Sequence, residues 1–436
     1  MDLREIQRRG FDEFVDYVNP FLGQRAQLAG EAVRVVHTED GRLVDVEGRA
    51  VEDFHGTQMY GHRHPAITSA VQAFLATDAP NWYPARVSPQ AGRLAKMLCE
   101  RMPGFSNVFF SCTGSDVVEA SIKLGRMLTK KPGIVGLEGA YHGCAIGATA
   151  LMQAGPFHDP FGPHLPGVRK VPFGDVDALA RELSRGDVGV AVIEPIQGEA
   201  GVRVLPERFV EVLCDLTQKH GILLVSDEIQ TGLGRTGSFY RASKWPRRPD
   251  AVLLGKALGG GLIPLSAMVT TKDIFVKAYG RDFEGGESHN VTYGFNAVAA
   301  VAGIAALELL TDELIASVGA RGARFKKALE DALLGHPLVE EVRGEGFMVG
   351  VKLASIDHPW LTFEHFGFET IAEEGRSSIA PLLCHRLHRH GLFCFTCGHD
   401  WSVFRLQPRY FIDDATLDRL VKATRDELDY LLELGS

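Results

Sequence analysis

This chain lacks at its start any stretch near the roughly 18 to 20 apolar residues that a spanning helix requires. The opening segment, MDLREIQRRGFDEF, is charged and lacks an apolar core, so neither a secretory leader nor a membrane anchor is expected there. Cysteine is scarce, with seven in 436 residues, which is too few for a disulfide framework and points to a reduced, cytoplasmic setting. Basic residues are not in excess: 46 Lys and Arg stand against 55 Asp and Glu, for a net charge of −9, without a dense basic run. A nucleic-acid partner is therefore not expected. Internal repeats of 20–50 residues are absent as well, and no low-complexity linker divides the chain.

What is present is the composition of an ordinary enzyme, 45% hydrophobic with 48 Gly and 21 Pro, in a chain too long for one small core. Residues 33–56 alternate polar and apolar side chains around Asp40-Gly41 and Glu47-Gly48, which predicts a small antiparallel meander. Beyond about residue 105, short apolar runs appear at 107–112, 134–137, 188–194, 222–227, 251–255 and 265–270. Several alternate with helix-like stretches at 116–129, 176–185 and 207–220. That alternation predicts an α/β fold whose mostly parallel central sheet is flanked by helices. After about residue 310 the texture becomes α+β and ends in an amphipathic helix from about Asp414. The domain reading is an N-terminal segment 1–58 of a small domain, a large domain 59–315, and a C-terminal part 316–436 completing the small one.

Open α/β sheets collect ligands at the carboxyl ends of their strands. After NVFFSC comes Thr113-Gly114-Ser115-Asp116 and then a helical run. A helix start of this kind offers free N–H groups and partial positive charge to a phosphate, although an ordinary N-cap reads the same way. After ILLVSD, the segment DEIQTGLGRTG begins with Asp227, an acid whose burial demands a cationic partner. A surface carboxylate, or a metal ligand with Glu228, is the plainer alternative. After AVLLG comes Lys256, expected to be desolvated and therefore a competent nucleophile. A snorkelling lysine is the competing account, weakened by Gly259-Gly260-Gly261, which clears space beside it.

Together these features resemble the class III, ω-amino acid type branch of the fold-type I pyridoxal-5′-phosphate (PLP) aminotransferases. The resemblance rests on GHRHP (61–65), CTGSDVVEASIKL (112–124), AYHG (140–143), EPIQGEAGV (194–202), DEIQTGLGRTG (227–237), GKALGGG (255–261), TYGFN (292–296), RGEGFMVGV (343–351) and FRLQPRYFI (404–412), all in the family's order. It runs from about residue 30 almost to the end, leaving roughly 356–380 as an insertion. It implies that Lys256 carries PLP as a Schiff base and shuttles the proton, while Asp227 keeps the pyridine nitrogen protonated so the ring accepts electrons. It further implies that Gly114 and Ser115 bind the phosphate, that Tyr141 stacks on the ring and that Gln230 approaches the phenolic oxygen. His142 and Glu194 are assigned to the cofactor site too. Thr292 would reach the cofactor of a partner subunit in a symmetric homodimer. Glu199 and Arg405 match a pair in which the glutamate neutralises the arginine for one substrate and releases it to a dicarboxylate for the other. The implied reaction moves an amino group from an amine donor to a 2-oxo acid in a ping-pong cycle.

Departures from the pattern narrow the donor. Arg63 replaces a small residue, the lysine loop reads GGGLIP, and Arg409 stands where a second proline is usual. Cys144 stands where ornithine-type enzymes carry an arginine for the donor's α-carboxylate. With Trp82, Tyr83, Met59 and Tyr60 as an expected aromatic and apolar wall, this favours a terminal amine, a diamine or an ω-amino acid, unless Arg86 or Arg63 substitutes. Residues 384–399 gather three Cys and four His, and their spacing is read as structural, with no metal site. A class III aminomutase or racemase, and a catalytically silent homologue, are the alternative functions.

Overall fold

The computed structural model describes residues 3–23, 35–280, 283–354 and 379–434. The chain divides into two compact units, Pro65–Gly319 and the combination of Met1–His64 with Ala320–Ser436. The divisions thus fall at 64/65 and 319/320, where the texture of the sequence places them at 58/59 and 315/316.

In the two-part unit, β1 (Val35–Glu39), β2 (Arg42–Asp45) and β3 (Ala50–Asp53) form the expected antiparallel meander. Asp40 and Gly41 both take positive φ, 49° and 79°, as a two-residue hairpin turn requires. In the other unit, β4 (Asn107–Ser111), β5 (Gly133–Leu137), β6 (Val168–Val171), β7 (Val188–Ile193), β10 (Leu223–Asp227), β11 (Ala251–Leu254) and β12 (Ser266–Thr270) build a seven-stranded sheet. Its order is β4-β12-β11-β10-β7-β5-β6, parallel from β11 to β6, with β12 antiparallel to both neighbours. A short ribbon, β8 (Ile196–Gln197) with β9 (Arg203–Val204), follows β7. Six of the seven strands coincide with the apolar runs of the sequence. The exception, β6, is an edge strand reading VRKV, whose two adjacent charges hide it from a search for apolar runs.

Helices Gly114–Thr129, Val176–Leu183 and Glu207–His220 occupy the expected positions and cover the sheet. The first opens on a capping box in which Thr113 and Asp116 bond each other's backbone, and closes on Lys130 in the left-handed region. Its Val117, Val118, Ile122 and Leu124 join Val190, Val225, Leu253 and Met268 in the core. The two-part unit continues with β13 (Val339–Glu345) and β14 (Met348–Leu353), the helix Ile379–His388, then β15 (Leu392–Phe393), β16 (Phe395–Thr396) and β17 (Val403–Leu406). A four-stranded antiparallel sheet has the order β13-β14-β17-β16, while β15 pairs with β3, and the helix Asp414–Leu434 ends the chain. Of the insertion read at 356–380, residues 356–378 lie outside the described residues.

Cys384, Cys394 and Cys397 are buried and form no disulfide among the described residues, and burial pushes the Cys394 thiol far up. His390 is bonded to Glu427 at 2.7 Å. Among the described residues no three His, Cys, Asp or Glu side chains converge as a metal site would need, and no helix is long and apolar enough to cross a membrane.

Candidate active site

The carboxyl edge of the large sheet is where the chemistry-bearing residues gather. Strand β10 delivers Asp227 to that edge, buried, with Oδ1 accepting from the amide of Ile229 at 3.1 Å. Its Oδ2 lies 2.7 Å from Nδ1 of His142. His142 comes from the loop after β5, and that ring is buried as well. Burial opposes a charge on the ring, but the hydrogen bond and charge of Asp227, with Glu194 behind, outweigh it and hold the imidazole pKa above its usual value. Glu194 follows β7 and accepts from the amide of Tyr141 at 2.9 Å. Burial raises the Glu194 carboxyl to about 7, against the pull of His142 and with the push of Asp227 and Glu199.

Ile229 draws three loops together. A Cβ on Gly114 would come within 2.9 Å of its side chain, and one on Gly255 within 3.1 Å. The helix start after β4, the turn after β10 and the lysine loop after β11 therefore close around one side chain. Lys256 is half-buried and holds φ of 41°, a left-handed conformation that lysine seldom adopts. Gly143, at φ 101°, lets the Tyr141 loop press on the helix start, since a Cβ there would sit 2.0 Å from Ser115 Oγ. Gly198 admits Gln230 in the same way, its absent Cβ falling 1.5 Å from Gln230 Oε1. Ser266, at the head of β12, donates its Oγ to the carbonyl of Thr113 at 2.6 Å and braces the helix start.

These contacts unite Gly114, Ser115, Tyr141, His142, Glu194, Asp227, Gln230 and Lys256. Glu199 is half-buried beyond Gly198, and Cys144 is exposed with its Sγ 3.7 Å from the Tyr141 hydroxyl. Trp82 and Thr292 meet each other, the indole Nε1 donating to the Thr292 carbonyl at 3.1 Å, and both are exposed in the chain. Arg405 and Tyr60 belong to the two-part unit, where both are buried. Tyr60 packs edge-on against Tyr410, and Met59 accepts from the Tyr410 hydroxyl at 2.9 Å. Ile229, Gly198 and Ser266 are the site-forming residues that motif reading passed over. Ile229 and Gly198 lie inside quoted motifs as spacers, and Ser266 lies inside an apolar run.

The edge fits PLP on the chain's own geometry. First-turn N–H groups of a capped helix suit a phosphate, a buried acid already paired to an imidazole suits a protonated ring nitrogen, and a lysine amine suits an aldehyde. His142 keeps its Nε2 buried without a hydrogen-bond partner among the described residues, marking a polar centre that protein alone does not complete.

The family model for aminotransferase class-III matches residues 26–428. The chain belongs to the class-III aminotransferases. That family is PLP-dependent and of fold type I, in agreement with the sheet and the edge described above. The chain is 31% identical over 461 residues to Aminotransferase PigE of a Serratia species, covering 97% of this chain but only about half, 54%, of that relative's length. Among solved structures, it superimposes on the ornithine aminotransferase of Toxoplasma gondii with a TM-score of 0.80 at 26% identity, covering 95% of each chain. The ornithine δ-aminotransferase of Plasmodium falciparum gives 0.74 at 27% identity, covering 93% of this chain and 97% of that one. A PLP-bound amine transaminase from an uncultivated Pseudomonas species, at 23% identity and 0.79, shares the fold; 91% of this chain and 94% of that one are covered.

Proposed function

We propose that this class-III aminotransferase moves the terminal amino group of an ω-amine, a diamine or an ω-amino acid to a 2-oxo acid, 2-oxoglutarate or pyruvate, in a ping-pong cycle. PLP, when bound, supplies an aldehyde that condenses with amines and a protonated ring that accepts the electrons left at the substrate carbon. Asp227, held by His142, keeps the ring nitrogen protonated. Gly114 and Ser115 offer helix N-terminal amides to the phosphate, Tyr141 covers the ring face and Gln230 meets the phenolic oxygen. Nζ of Lys256 holds the cofactor and then takes and returns the proton of the substrate carbon. Arg405 receives the far carboxylate of the 2-oxo acid, and Glu199 neutralises it during the amine half-reaction. In a symmetric dimer, Thr292 reaches the partner's cofactor phosphate.

The observation that carries the donor class is Cys144. A thiol beside the Tyr141 hydroxyl offers at most a weak donor where an α-carboxylate would need a cation. The test compares kcat/KM for a diamine and for ornithine, in wild type and in Cys144→Arg. A diamine should be preferred, and Cys144→Arg should shift preference toward ornithine by more than tenfold. A wild type favouring ornithine tenfold, or an unmoved preference in the variant, overturns the reading. Borohydride treatment should leave a pyridoxyl group on Lys256; a label on another lysine would refute that assignment.

A further inference from the structure

Just past β17 sits a side chain that the proposed reaction leaves unused. Gln407 is 1% exposed. Neither its Oε1 nor its Nε2 has a hydrogen-bond partner among the described residues. A buried primary amide left in that state is costly, and native folds keep one where something else completes it. Its placement is specified by the chain. The Gln407 amide nitrogen donates to the Phe54 carbonyl at 3.0 Å. Gly56, at φ 101°, makes the room: a Cβ there would lie 1.8 Å from Gln407 Oε1. Any other residue at 56 would both strain the backbone and expel the amide.

The position relative to Arg405 follows from backbone rules. Pro408 confines Gln407 to extended conformations. Gln407 directly follows β17, and along an extended backbone side chains two residues apart share a face. Arg405, two residues back, is likewise buried. The two side chains differ in chemistry: a guanidinium offers only donors, whereas an amide offers donors and an acceptor.

We propose that Gln407 is a substrate-reading residue beside Arg405: its Nε2 donates to the carboxylate that Arg405 holds, and its Oε1 accepts from the distal ammonium of the amine donor. This rests on the reading of Arg405 given above. It explains how one end of a site can take an anion in one half-reaction and a cation in the other, since the amide serves either by turning over.

The test uses holoenzyme carrying Gln407→Met, which keeps the length and removes the hydrogen-bonding atoms, together with Gln407→Glu and Arg405→Ala. Glutarate, an unreactive dicarboxylate, is titrated while the cofactor absorbance is followed, and half-reaction rates are taken with a diamine and with 2-oxoglutarate. Gln407→Met should bind glutarate about tenfold or more weakly, as for loss of a hydrogen bond to a charged group. Its melting temperature should be unchanged or higher, because no unpaired amide remains buried. Gln407→Glu should weaken glutarate further while gaining relative rate with the diamine. Normal glutarate affinity in Gln407→Met, with Arg405→Ala impaired, overturns the inference and leaves Arg405 standing. A lower melting temperature in Gln407→Met with unchanged affinity overturns it too, and assigns the amide to an internal water. Unchanged affinity in Arg405→Ala refutes the reading of Arg405 alone.

Discussion

At the scale of single residues, the two most telling features are a strained backbone and a pair of buried titrating groups. Lys256 occupies a left-handed conformation that glycine adopts freely and alanine resists. Lys256→Gly and Lys256→Ala should both lose turnover. The glycine variant should be the more stable by about 1 kcal/mol, the scale of the left-handed penalty, in denaturant unfolding of the apoproteins. Glu194 gives a pH signature. Its carboxyl titrates near the usual 4.5 when unfolded and at about 7 when folded, so the folded state holds the extra proton between those values. Stability therefore falls as pH rises through that window, and the loss is complete above it. His142, also raised, adds stability that is fully present below about 6.5 and fades as pH passes its folded value. Unfolding midpoints measured from pH 5 to 8 should decline, and Glu194→Gln should flatten the decline; an unaltered slope would contradict the assignment.

The same residues show what a sequence displays and what it conceals. Asp227 and Lys256 are legible because an acid and a lysine ending apolar runs break the pattern around them. Gly114 and Ser115 are legible because a strand, a turn and a helix start follow one another. Ile229, Gly198 and Ser266 are not, since their contribution is shape: an isoleucine touching two loops, a missing Cβ, and a hydroxyl reaching a carbonyl across the sheet. The partnerless amide of Gln407 is equally silent, because nothing in FRLQPRYFI says which polar atoms lack a partner.

At the scale of elements, the loop 228–242 hangs on one carboxylate. Glu228 is buried and accepts from the amides of Arg241 at 2.9 Å and Ala242 at 2.7 Å, from Ser226 Oγ at 3.2 Å, and from Thr231 Oγ1. Burial raises its pKa, although every one of these donors works the other way. Glu228→Ala takes the acceptor from the buried Ala242 amide and the part-buried Arg241 amide and should cost roughly 3 kcal/mol, read as a lower unfolding midpoint. It should also displace Gln230 and shift the absorbance of the bound cofactor, which a loss of stability remote from the site would not do. Arg409, which replaces a proline, has a comparable local reason. Its guanidinium grips buried Glu52 through Nε at 2.6 Å and Nη2 at 3.2 Å, so the substitution installs a buried ion pair within the two-part unit.

At the scale of the whole molecule, the proposed dimer makes each site a product of two chains. A Lys256→Ala chain and a Thr292→Val chain should each be impaired alone. A mixed dimer would place both defects in one site and leave the other with wild-type Lys256 and Thr292. Refolding the two together should then give more activity than the sum of the separate preparations. A strictly additive result would mean that Thr292 serves its own chain's site.

The reversal of β12 has a consequence for how the site is dimensioned. Asp227 ends β10, the lysine loop leaves β11, and the helix start follows β4, with β12 filling the step between β11 and β4. Adjacent strands stand about 4.8 Å apart, so the three anchors are spaced by whole steps of the sheet along a line of roughly 14 Å. The sheet acts as a ruler, and β12 sets its zero, tied to β11 by Leu254 opposite Ala267 and to β4 by Ser111 opposite Ser266. A slip that kept the same side chains facing the same way would need two residues. It would carry Ser266 about 7 Å along the strand, away from Thr113. Changes in the apolar face of β12 are thus a route by which the site would lose its scale while retaining every residue that performs its chemistry.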